Sequence, residues 1–259
     1  MNYFVMSDIH GCYDEMIEAL KSWDKHNEHL VVMGDLIDRG PDSLKVIRHL
    51  MKLKSENMDK VTVLMGNHEE MFLAWLTKVP IELFAEYYNE IHNETLQSFF
   101  GDKLKYQKST RQQRGKHILY NFKYELNWLM DLPRSFETEN IIFVHAGINL
   151  DGKDWQDDMD AMLWVRNEFI YSSKVAPKRV FFGHTPTQFI HSKDIENKND
   201  IWVNPFGDKV GIDGGVCFGG QLNALKVDGK GEILEVIKVG AQWTGLSFSL
   251  KQIMGWKLW

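Results

Sequence analysis

Short apolar runs, separated by polar segments that contain glycine, recur along the whole chain and predict a series of buried strands. The first three runs are Tyr3–Met6, Leu30–Met33 and Val61–Met65. Between and after these runs, apolar residues reappear at helical spacing, as in Ser43–Lys54 and Met71–Leu76. Strands that alternate with helices in this way predict an α/β fold with parallel strands.

Strand-like runs dominate the second half of the chain, where glycines mark tight turns. The tail, Trp243–Trp259, is apolar and aromatic, and we predict that it packs against the rest of the protein. The strands predicted in this half are Arg134–Glu137, Ile141–Val144, Arg179–Phe182, Lys209–Asp213, Gln221–Val227 and Ile233–Val239.

Residues 79–130 differ from the flanking segments, because aromatic side chains are dense there and their spacing is helical or irregular. The pattern predicts a mostly helical insertion packed on one side of the core. The chain is long enough for one or two domains, and we expect a single domain that spans residues 1–259. Basic residues recur in this insertion from Lys103 to Lys116. We interpret them as a solvated face, and the alternative is a basic rim that attracts a phosphorylated substrate.

Polar residues that suit metal binding stand at the ends of the first three predicted strands, in Ser7–Gly11, Gly34–Pro41 and Gly66–Glu70. Asp8 and His10 are two residues apart, so in an extended segment their side chains point the same way. Each cluster alone has an ordinary explanation, such as a solvated turn in which aspartate and arginine pair. Because ligand sites in α/β sheets form at the carboxyl ends of the strands, the three clusters together predict one site.

Two further histidines, His145 and His184, follow later predicted strands, and a glycine lies within two residues of each. With the clusters above, they supply three imidazoles, two carboxylates and one amide oxygen. A set of this size suits two metal ions about 3.5–4 Å apart that share a carboxylate, the usual device for hydrolysing phosphate esters. One metal ion would leave ligands unused. The six predicted ligands are Asp8, His10, Asp35, Asn67, His145 and His184.

Composition and charge narrow the function further. The chain has 259 residues, 44% of them hydrophobic, and a net charge of −6, so no global attraction draws it to nucleic acid or to an anionic membrane. No apolar run is long enough to span a bilayer, and the first residues lack the basic start of a signal peptide. Because only Cys12 and Cys217 occur, a disulfide framework is not expected, and the sequence predicts a cytoplasmic protein.

Five motifs occur in a fixed order between residues 8 and 184. They are Asp8-x-His10-Gly11, Gly34-Asp35-x-x-Asp38-Arg39-Gly40, Gly66-Asn67-His68-Glu69, His145-Ala146-Gly147 and Gly183-His184. In this set and order the chain resembles the calcineurin-like metallophosphoesterases, and more closely the PPP-type serine/threonine protein phosphatases of bacteria and phages. The resemblance implies a four-layer α/β/β/α fold, a β-sandwich of mixed sheets flanked by helices. The chain lacks the Ser-Ala-Pro-Asn-Tyr segment of the eukaryotic PPP enzymes.

The resemblance also implies how two metal ions would be held. Asp8 and His10 would bind the first ion, and Asp35 would bridge both. Ligands of this kind without a thiolate fit manganese, iron or zinc, and we favour manganese because the resemblance is to bacterial and phage enzymes. The second ion would be held by Asn67, His145 and His184.

The remaining implied roles concern the substrate. Arg39 and Arg166 would grip phosphate oxygens, because the planar guanidinium matches two oxygens at once. His68 would act as general acid, and Asp38 would fix its tautomer and raise its pKa. A water that bridges the two ions would attack phosphorus as hydroxide.

Two of these residues leave alternatives open. Arg166 stands at the end of an apolar stretch, where an arginine would be costly to bury unless it binds an anion. The alternative is a structural ion pair with Glu168 or with the acidic segment Asp151–Asp160. Asp213 stands among glycines. We interpret it as the cap of a glycine turn rather than as a metal ligand.

The leading interpretation is a metal-dependent phosphomonoesterase that acts on phosphoserine or phosphothreonine in proteins. Its rivals are a symmetrical bis(5'-nucleosyl)-tetraphosphatase and a broad-specificity phosphatase for small molecules. Enterobacterial tetraphosphatases have a similar pattern, but with alanine where this chain has Asp38. The presence of Asp38 therefore favours the protein phosphatase. A metal-binding module without enzymatic activity is disfavoured, because such a module needs no general acid such as His68. Nucleic-acid cleavage is disfavoured by the acidic balance.

Overall fold

The computed structural model of the protein describes residues 1–77, 93–152, 154–192 and 196–242. The predicted tail, Trp243–Trp259, and the first part of the predicted insertion lie outside the described residues. The single domain over the whole chain therefore stays a prediction. Among the described residues, no helix combines the length and the apolar character that crossing a membrane requires.

The strands confirm the pattern of apolar runs, with small changes at their ends. Arg179–Phe182 and Gln221–Val227 have the predicted bounds, whereas β7 is too short to leave a pattern in the sequence. The strands are β1 (Asn2–Met6), β2 (Glu28–Val32), β3 (Val61–Val63), β4 (Ser135–Glu137), β5 (Ile141–Val144), β6 (Arg179–Phe182), β7 (Trp202–Val203), β8 (Lys209–Gly211), β9 (Gln221–Val227) and β10 (Ile233–Gly240).

The helices confirm that the described part of the insertion is mostly helical, and its basic residues between Lys103 and Lys116 are mainly exposed, as on a solvated face. The third helix begins four residues before the predicted Met71, so Asn67 and His68 lie in its first turn. The helices are α1 (Tyr13–Leu20), α2 (Ser43–Glu56), α3 (Asn67–Thr77), α4 (Asn93–Ser98), α5 (Lys103–Lys108), α6 (Arg111–Asn121), α7 (Lys123–Met130), α8 (Met159–Trp164) and α9 (Asn167–Ile170).

The strands form two five-stranded mixed sheets, with the orders β10-β9-β1-β2-β3 and β4-β5-β6-β8-β7. In the first sheet β1, β2 and β3 are parallel, and β9 and β10 run antiparallel to their neighbours. In the second sheet β5, β6 and β8 are parallel, and β4 and β7 are antiparallel. The predicted mixed sheets are confirmed.

The alternation of side chains along each strand decides the layers, because successive residues point to opposite faces of a sheet. In β1, Phe4 and Met6 pack in one core with residues of α1 and α2, whereas Tyr3 and Val5 belong to a core shared by both sheets. In β6, Phe182 packs with residues of α8 and α9. The molecule is therefore a sandwich of two sheets with helices on both outer faces, the predicted α/β/β/α arrangement.

We expect the core between the two sheets to depend on Phe143, which is 0% exposed. Its ring lies 5.3 Å from that of Tyr3 and 5.6 Å from that of Phe181. Phe143→Ala should lower the free energy of unfolding by about 3–5 kcal/mol, because a cavity would remain between the sheets. Urea denaturation measures this, with Phe206→Ala as the control at a side chain that is 59% exposed. An equal, small loss in both variants would contradict the expectation.

Candidate active site

Six of the predicted site residues lie in loops with strained backbone. Among the described residues, every non-glycine residue with positive φ is one of them, and their φ angles run from 47° to 74°. Such conformations cost about 1–3 kcal/mol each and persist only where the surrounding structure imposes them. The strain marks a functional site, and the residues are Asp8, His10, Asp35, Asp38, Arg39 and His184.

The sequence-based explanation for Asp8 and His10 is wrong, although the two residues do reach the same loop region. Strand β1 ends at Met6, and φ is 55° at Asp8 and 47° at His10, so neither residue is extended. The amide of His10 donates a 2.9 Å hydrogen bond to the carbonyl oxygen of Asp35. The loop after β1 is thus positioned by the loop after β2, not by alternation along a strand.

Four predicted ligands converge on one point where the carboxyl ends of the parallel strands meet. Nε2 of His145 lies 2.9 Å from Oδ1 of Asn67 and 3.2 Å from Nδ1 of His184. The latter two atoms are 3.0 Å apart, and Oδ1 of Asp35 is 3.4 Å from Nε2 of His145. Neighbouring ligands of one ion, with bonds of about 2.0–2.2 Å, are themselves roughly 3 Å apart, so this cluster has the dimensions of a metal site.

Hydrogen bonds behind the cluster leave lone pairs facing one another. Nδ1 of His145 lies 2.9 Å from the carbonyl oxygen of Met33, which can only accept, so Nε2 carries a lone pair towards the amide oxygen of Asn67. Nε2 of His184 is buried and has no hydrogen-bond partner among the described residues. The other ring nitrogen of His184, Nδ1, is the one that faces the cluster. The opposed acceptors Nε2 of His145 and Oδ1 of Asn67 are unfavourable without a cation between them, so the residues fit the implied metal.

A second group of ligand atoms lies on the other side of Asp35. Nδ1 of His10 donates to the carbonyl oxygen of Ile37 at 2.8 Å, which leaves a lone pair on Nε2, 3.4 Å from Oδ2 of Asp35. Asp35 thus presents one oxygen to His145 and the other to His10, as a bridging ligand would. His68 is the third member of this group, whose ligand atoms lie within 4.8 Å of one another.

Asp8 is buried beside these groups but belongs to neither of them. Its carboxylate accepts a 2.5 Å hydrogen bond from the hydroxyl of Ser7, and both of its oxygens lie 3.0 Å from the amide nitrogen of His184. A methyl group at Gly183 would overlap this carboxylate. Burial, with the charges of Asp213 and Asp35, raises the pKa of Asp8.

His68 and Asp38 form the predicted pair. Nδ1 of His68 lies 2.7 Å from Oδ2 of Asp38, and Nε2 lies 2.9 Å from a guanidinium nitrogen of Arg39. The backbone amide of His68 donates to Oδ1 of Asp35 at 3.1 Å. The imidazole is therefore fixed at one nitrogen, and its other nitrogen faces a predicted phosphate-binding arginine.

Asp38 raises the pKa of His68, as expected, but the net shift of that pKa is downward. Burial lowers the pKa of His68 below its ordinary value, and the nearby Asp35 and the hydrogen bond that His68 donates to Asp38 raise it without compensating. For Asp35 the balance is reversed. Burial alone would raise its pKa, but the imidazoles of His145, His68 and His10 hold it well below its usual range, so Asp35 stays ionised.

Arg166 lies at the N-terminus of α9, where its guanidinium donates to the carbonyl oxygen of His184 at 2.9 Å and to Oγ1 of Thr185 at 3.0 Å. Within the described ranges it forms no salt bridge, so the alternative of an ion pair with Glu168 or the acidic segment finds no support there. Burial lowers the pKa of Arg166, and the charge of Arg39 adds to this effect. A cation in this position suits an anionic ligand.

The sequence reasoning overlooked Glu69, which is 0% exposed. One carboxylate oxygen accepts from the amides of Asp35 and Gly66 at 2.9 Å, and the other accepts from Leu36 at 2.9 Å and Ile37 at 3.2 Å. Glu69 thereby ties the loop after β2 to the start of α3. The available signal was a charged residue directly after His68, at the start of a helix whose later residues are mainly apolar.

Asp213 has the predicted capping role. Its Oδ1 accepts a 2.9 Å hydrogen bond from the amide of Gly215, at the start of a tight turn that we call the glycine turn (residues 214–220). Burial raises the pKa of Asp213 to about 6. The carboxylate is in neither of the two candidate metal groups.

Relatives with two different names match this chain. Two symmetrical bis(5'-nucleosyl)-tetraphosphatases are among them. That of Buchnera aphidicola is 42% identical over 76 residues, and the match covers 29% of this chain and 26% of the relative. That of Wigglesworthia glossinidia brevipalpis is 25% identical, over 89% of this chain and 97% of the relative. Serine/threonine-protein phosphatase 1 of Salmonella typhimurium is 26% identical, over 86% of this chain and 91% of the relative.

Among solved structures, a protein serine/threonine phosphatase from Saccharomyces cerevisiae aligns with a TM-score of 0.55 at 15% identity, over 95% of this chain and 81% of that chain. This likeness concerns the fold. The sequence model of the calcineurin-like phosphoesterases matches residues 1–221, which include all of the site residues described above. The chain therefore belongs to the calcineurin-like phosphoesterase family, whose members hydrolyse phosphoric esters with a dinuclear metal centre.

Proposed function

We propose that this phosphoesterase removes phosphate from phosphoserine and phosphothreonine in proteins, in the cytoplasm and with two manganese ions. The observation that carries the proposal is the pair formed by His68 and Asp38, with 2.7 Å between Nδ1 and Oδ2. A serine alkoxide is a very poor leaving group, so a proton donor at the leaving oxygen is worth about 10²- to 10⁴-fold in rate.

The position of Arg39 supports a proton transfer from His68 to the substrate. A guanidinium nitrogen of Arg39 lies 2.9 Å from Nε2 of His68. A phosphate gripped by Arg39 therefore has its ester oxygen close to Nε2. Arg166 would hold other oxygens of the same phosphate.

The proton on His68 depends on the charge around it. Because Asp38 accepts from Nδ1, Nε2 is the nitrogen that must hold the proton to be donated. Burial lowers the pKa of His68, and the negative charge of a bound phosphate acts in the opposite direction. Arrival of the substrate thus favours the protonated imidazole that the reaction needs.

The metal ions would be held on the two sides of Asp35. Asn67, His145 and His184 would complete one site, and His10 the other, with Asp8 beside it. When bound, the two divalent ions supply Lewis acidity and lower the pKa of a bound water. Both cysteines are free and buried, and burial raises the pKa of Cys12 well above its ordinary value and that of Cys217 to about 12, so neither serves as a nucleophile.

The tetraphosphatase relatives support a second candidate, symmetrical cleavage of dinucleoside tetraphosphates. This reaction releases a nucleoside diphosphate, which is a far better leaving group than a serine alkoxide. Such a substrate therefore gains less from a general acid. The two candidates differ in how much each depends on His68.

We predict that His68→Asn costs about 10²- to 10⁴-fold in kcat on a phosphoserine peptide, and much less on p-nitrophenyl phosphate, whose leaving group needs little protonation. Asp38→Asn should give the same pattern in milder form, because it removes only the group that orients the imidazole. The rates are measured with manganese present, together with the manganese content of each variant.

The same assay on wild-type protein includes diadenosine tetraphosphate as the third substrate. Preference for the phosphoserine peptide, with both metal ions retained in the variants, supports the proposal. Equal losses of His68→Asn on all substrates with full metal content would refute the general-acid role. A strong preference for diadenosine tetraphosphate would establish the second candidate instead.

We predict that Arg166→Ala weakens competitive inhibition by inorganic phosphate about 10- to 100-fold, because a charged hydrogen-bond donor is lost from the phosphate site. Manganese content should stay unchanged. The matched control is Arg134→Ala, which removes a partly buried pair with Glu70 at 2.7 Å. If Arg166→Ala instead lowers the unfolding midpoint and leaves phosphate inhibition intact, the residue is structural.

We predict that Gly183→Ala lowers manganese affinity, because the added methyl group would displace the carboxylate of Asp8. Calorimetric titration of manganese into the metal-free protein measures the effect. Gly240→Ala is the control, since a methyl group there meets no atom within 4 Å. Unchanged affinity in Gly183→Ala would show that Asp8 is not needed to hold an ion.

A further inference from the structure

Phe218, which is not among the predicted site residues, lies against the guanidinium of Arg39. Cζ of Arg39 is 4.9 Å from the centroid of the Phe218 ring, within the range of a cation–π interaction. Sγ of Cys217 is 3.9 Å from a guanidinium nitrogen of the same arginine. The glycine turn thus supplies one wall of the space that Arg39 occupies.

Two polar contacts of Arg39 involve groups that the reaction requires for other purposes. One guanidinium nitrogen contacts Nε2 of His10, and another lies 2.9 Å from Nε2 of His68. A guanidinium can only donate, so both contacts need a lone pair on the imidazole. The lone pair of His10 is the one available to a metal ion, and Nε2 of His68 must carry a proton in the proposed reaction. The ring contact with Phe218 conflicts with neither requirement.

The glycine turn is built firmly enough to act as a support. Its backbone is closed by hydrogen bonds from Phe218 to the carbonyl oxygen of Gly215 at 2.9 Å and from Gln221 to that of Gly214 at 3.0 Å. Gly215 and Gly219 have φ angles of 67° and 85°, which glycine adopts without strain. Val216 and Cys217, in the same turn, are buried in the core formed with α1 and α2.

We propose that Phe218 is a positioning residue, which holds the guanidinium of Arg39 in the orientation that grips the phosphate. The backbone of Arg39 is fixed in a left-handed conformation with φ of 70°, but its long side chain rotates about several bonds. A flat ring against the guanidinium removes much of that freedom before the substrate arrives. This inference rests on the phosphate-binding role given to Arg39 in the proposed function.

The experiment compares Phe218→Leu, which removes the ring, with Phe218→Tyr, which keeps it. Inorganic phosphate is titrated calorimetrically into the manganese-loaded protein, and KM and kcat are measured on p-nitrophenyl phosphate. Phe218→Leu should weaken phosphate binding and raise KM about 5- to 30-fold, and Phe218→Tyr should restore both. The unfolding midpoint and manganese content should stay near those of the wild type.

The matched control is Phe206→Leu, which removes a ring that is 59% exposed and should change none of these quantities. Phe218→Met keeps a long apolar side chain and replaces the leucine variant if that variant does not fold. Equal weakening of phosphate binding in the leucine and tyrosine variants would overturn the inference, and so would a lower unfolding midpoint with unchanged phosphate binding.

A double-mutant cycle separates this inference from the proposed function. In an Arg39→Ala background, Phe218→Leu should have no further effect on phosphate binding, because the ring acts through the arginine. A further loss of the same size would overturn the positioning role. If Arg39→Ala binds phosphate as well as the wild type, both proposals fail, whereas weak binding in Arg39→Ala with normal binding in Phe218→Leu overturns this inference alone.

Discussion

A single buried carboxylate, that of Asp35, is the group on which the site depends. Its side chain is 2% exposed, and its two oxygens face His145 and His10, each at 3.4 Å. It also accepts the amide hydrogen bond of His68 and donates its own amide to Glu69. Three loops from two sheets are thus organised around one negative charge, which is unfavourable to bury unless cations surround it.

The strained backbone follows from this requirement. Loops that reach one point from different strands have few conformations in which side chains converge and backbone groups still find partners. Left-handed residues such as Asp8 and His184 provide these conformations at a local cost, and hydrogen bonds between the loops offset it. The four amides held by Glu69 are the clearest example, because one buried carboxyl group fixes backbone donors that would otherwise stay unpaired.

The chemistry of the leaving group distinguishes the two candidate functions. The overall likeness to relatives does not distinguish them. The identities to a tetraphosphatase and to a protein phosphatase over most of the chain are 25% and 26%. A buried imidazole held by Asp38 is of greatest use where a poor leaving group needs a proton. The basic residues on the helices of the described insertion lie mainly on exposed surface, as on a solvated face.

Much of the fold was predictable from the sequence, because its causes are local. Alternating apolar residues defined strands such as Gln221–Val227, and a polar cluster at each strand end identified Asp35, Asn67 and His184 as neighbours in space. The family resemblance added the roles of Arg39 and His68. These features depend on the residues within one segment, or on the general rule that parallel strands end at one edge.

The tertiary structure decided what depends on residues that are distant along the chain. The carboxylate of Asp8 is held by the amide of His184, 176 residues away, and no period in the sequence records such a contact. The balance of burial and charge that lowers the pKa of His68 also exists only when several elements surround the imidazole. The same holds for the ring of Phe218 beside Arg39. Long-range contacts and burial are sums over the whole fold, so only the folded chain determines them.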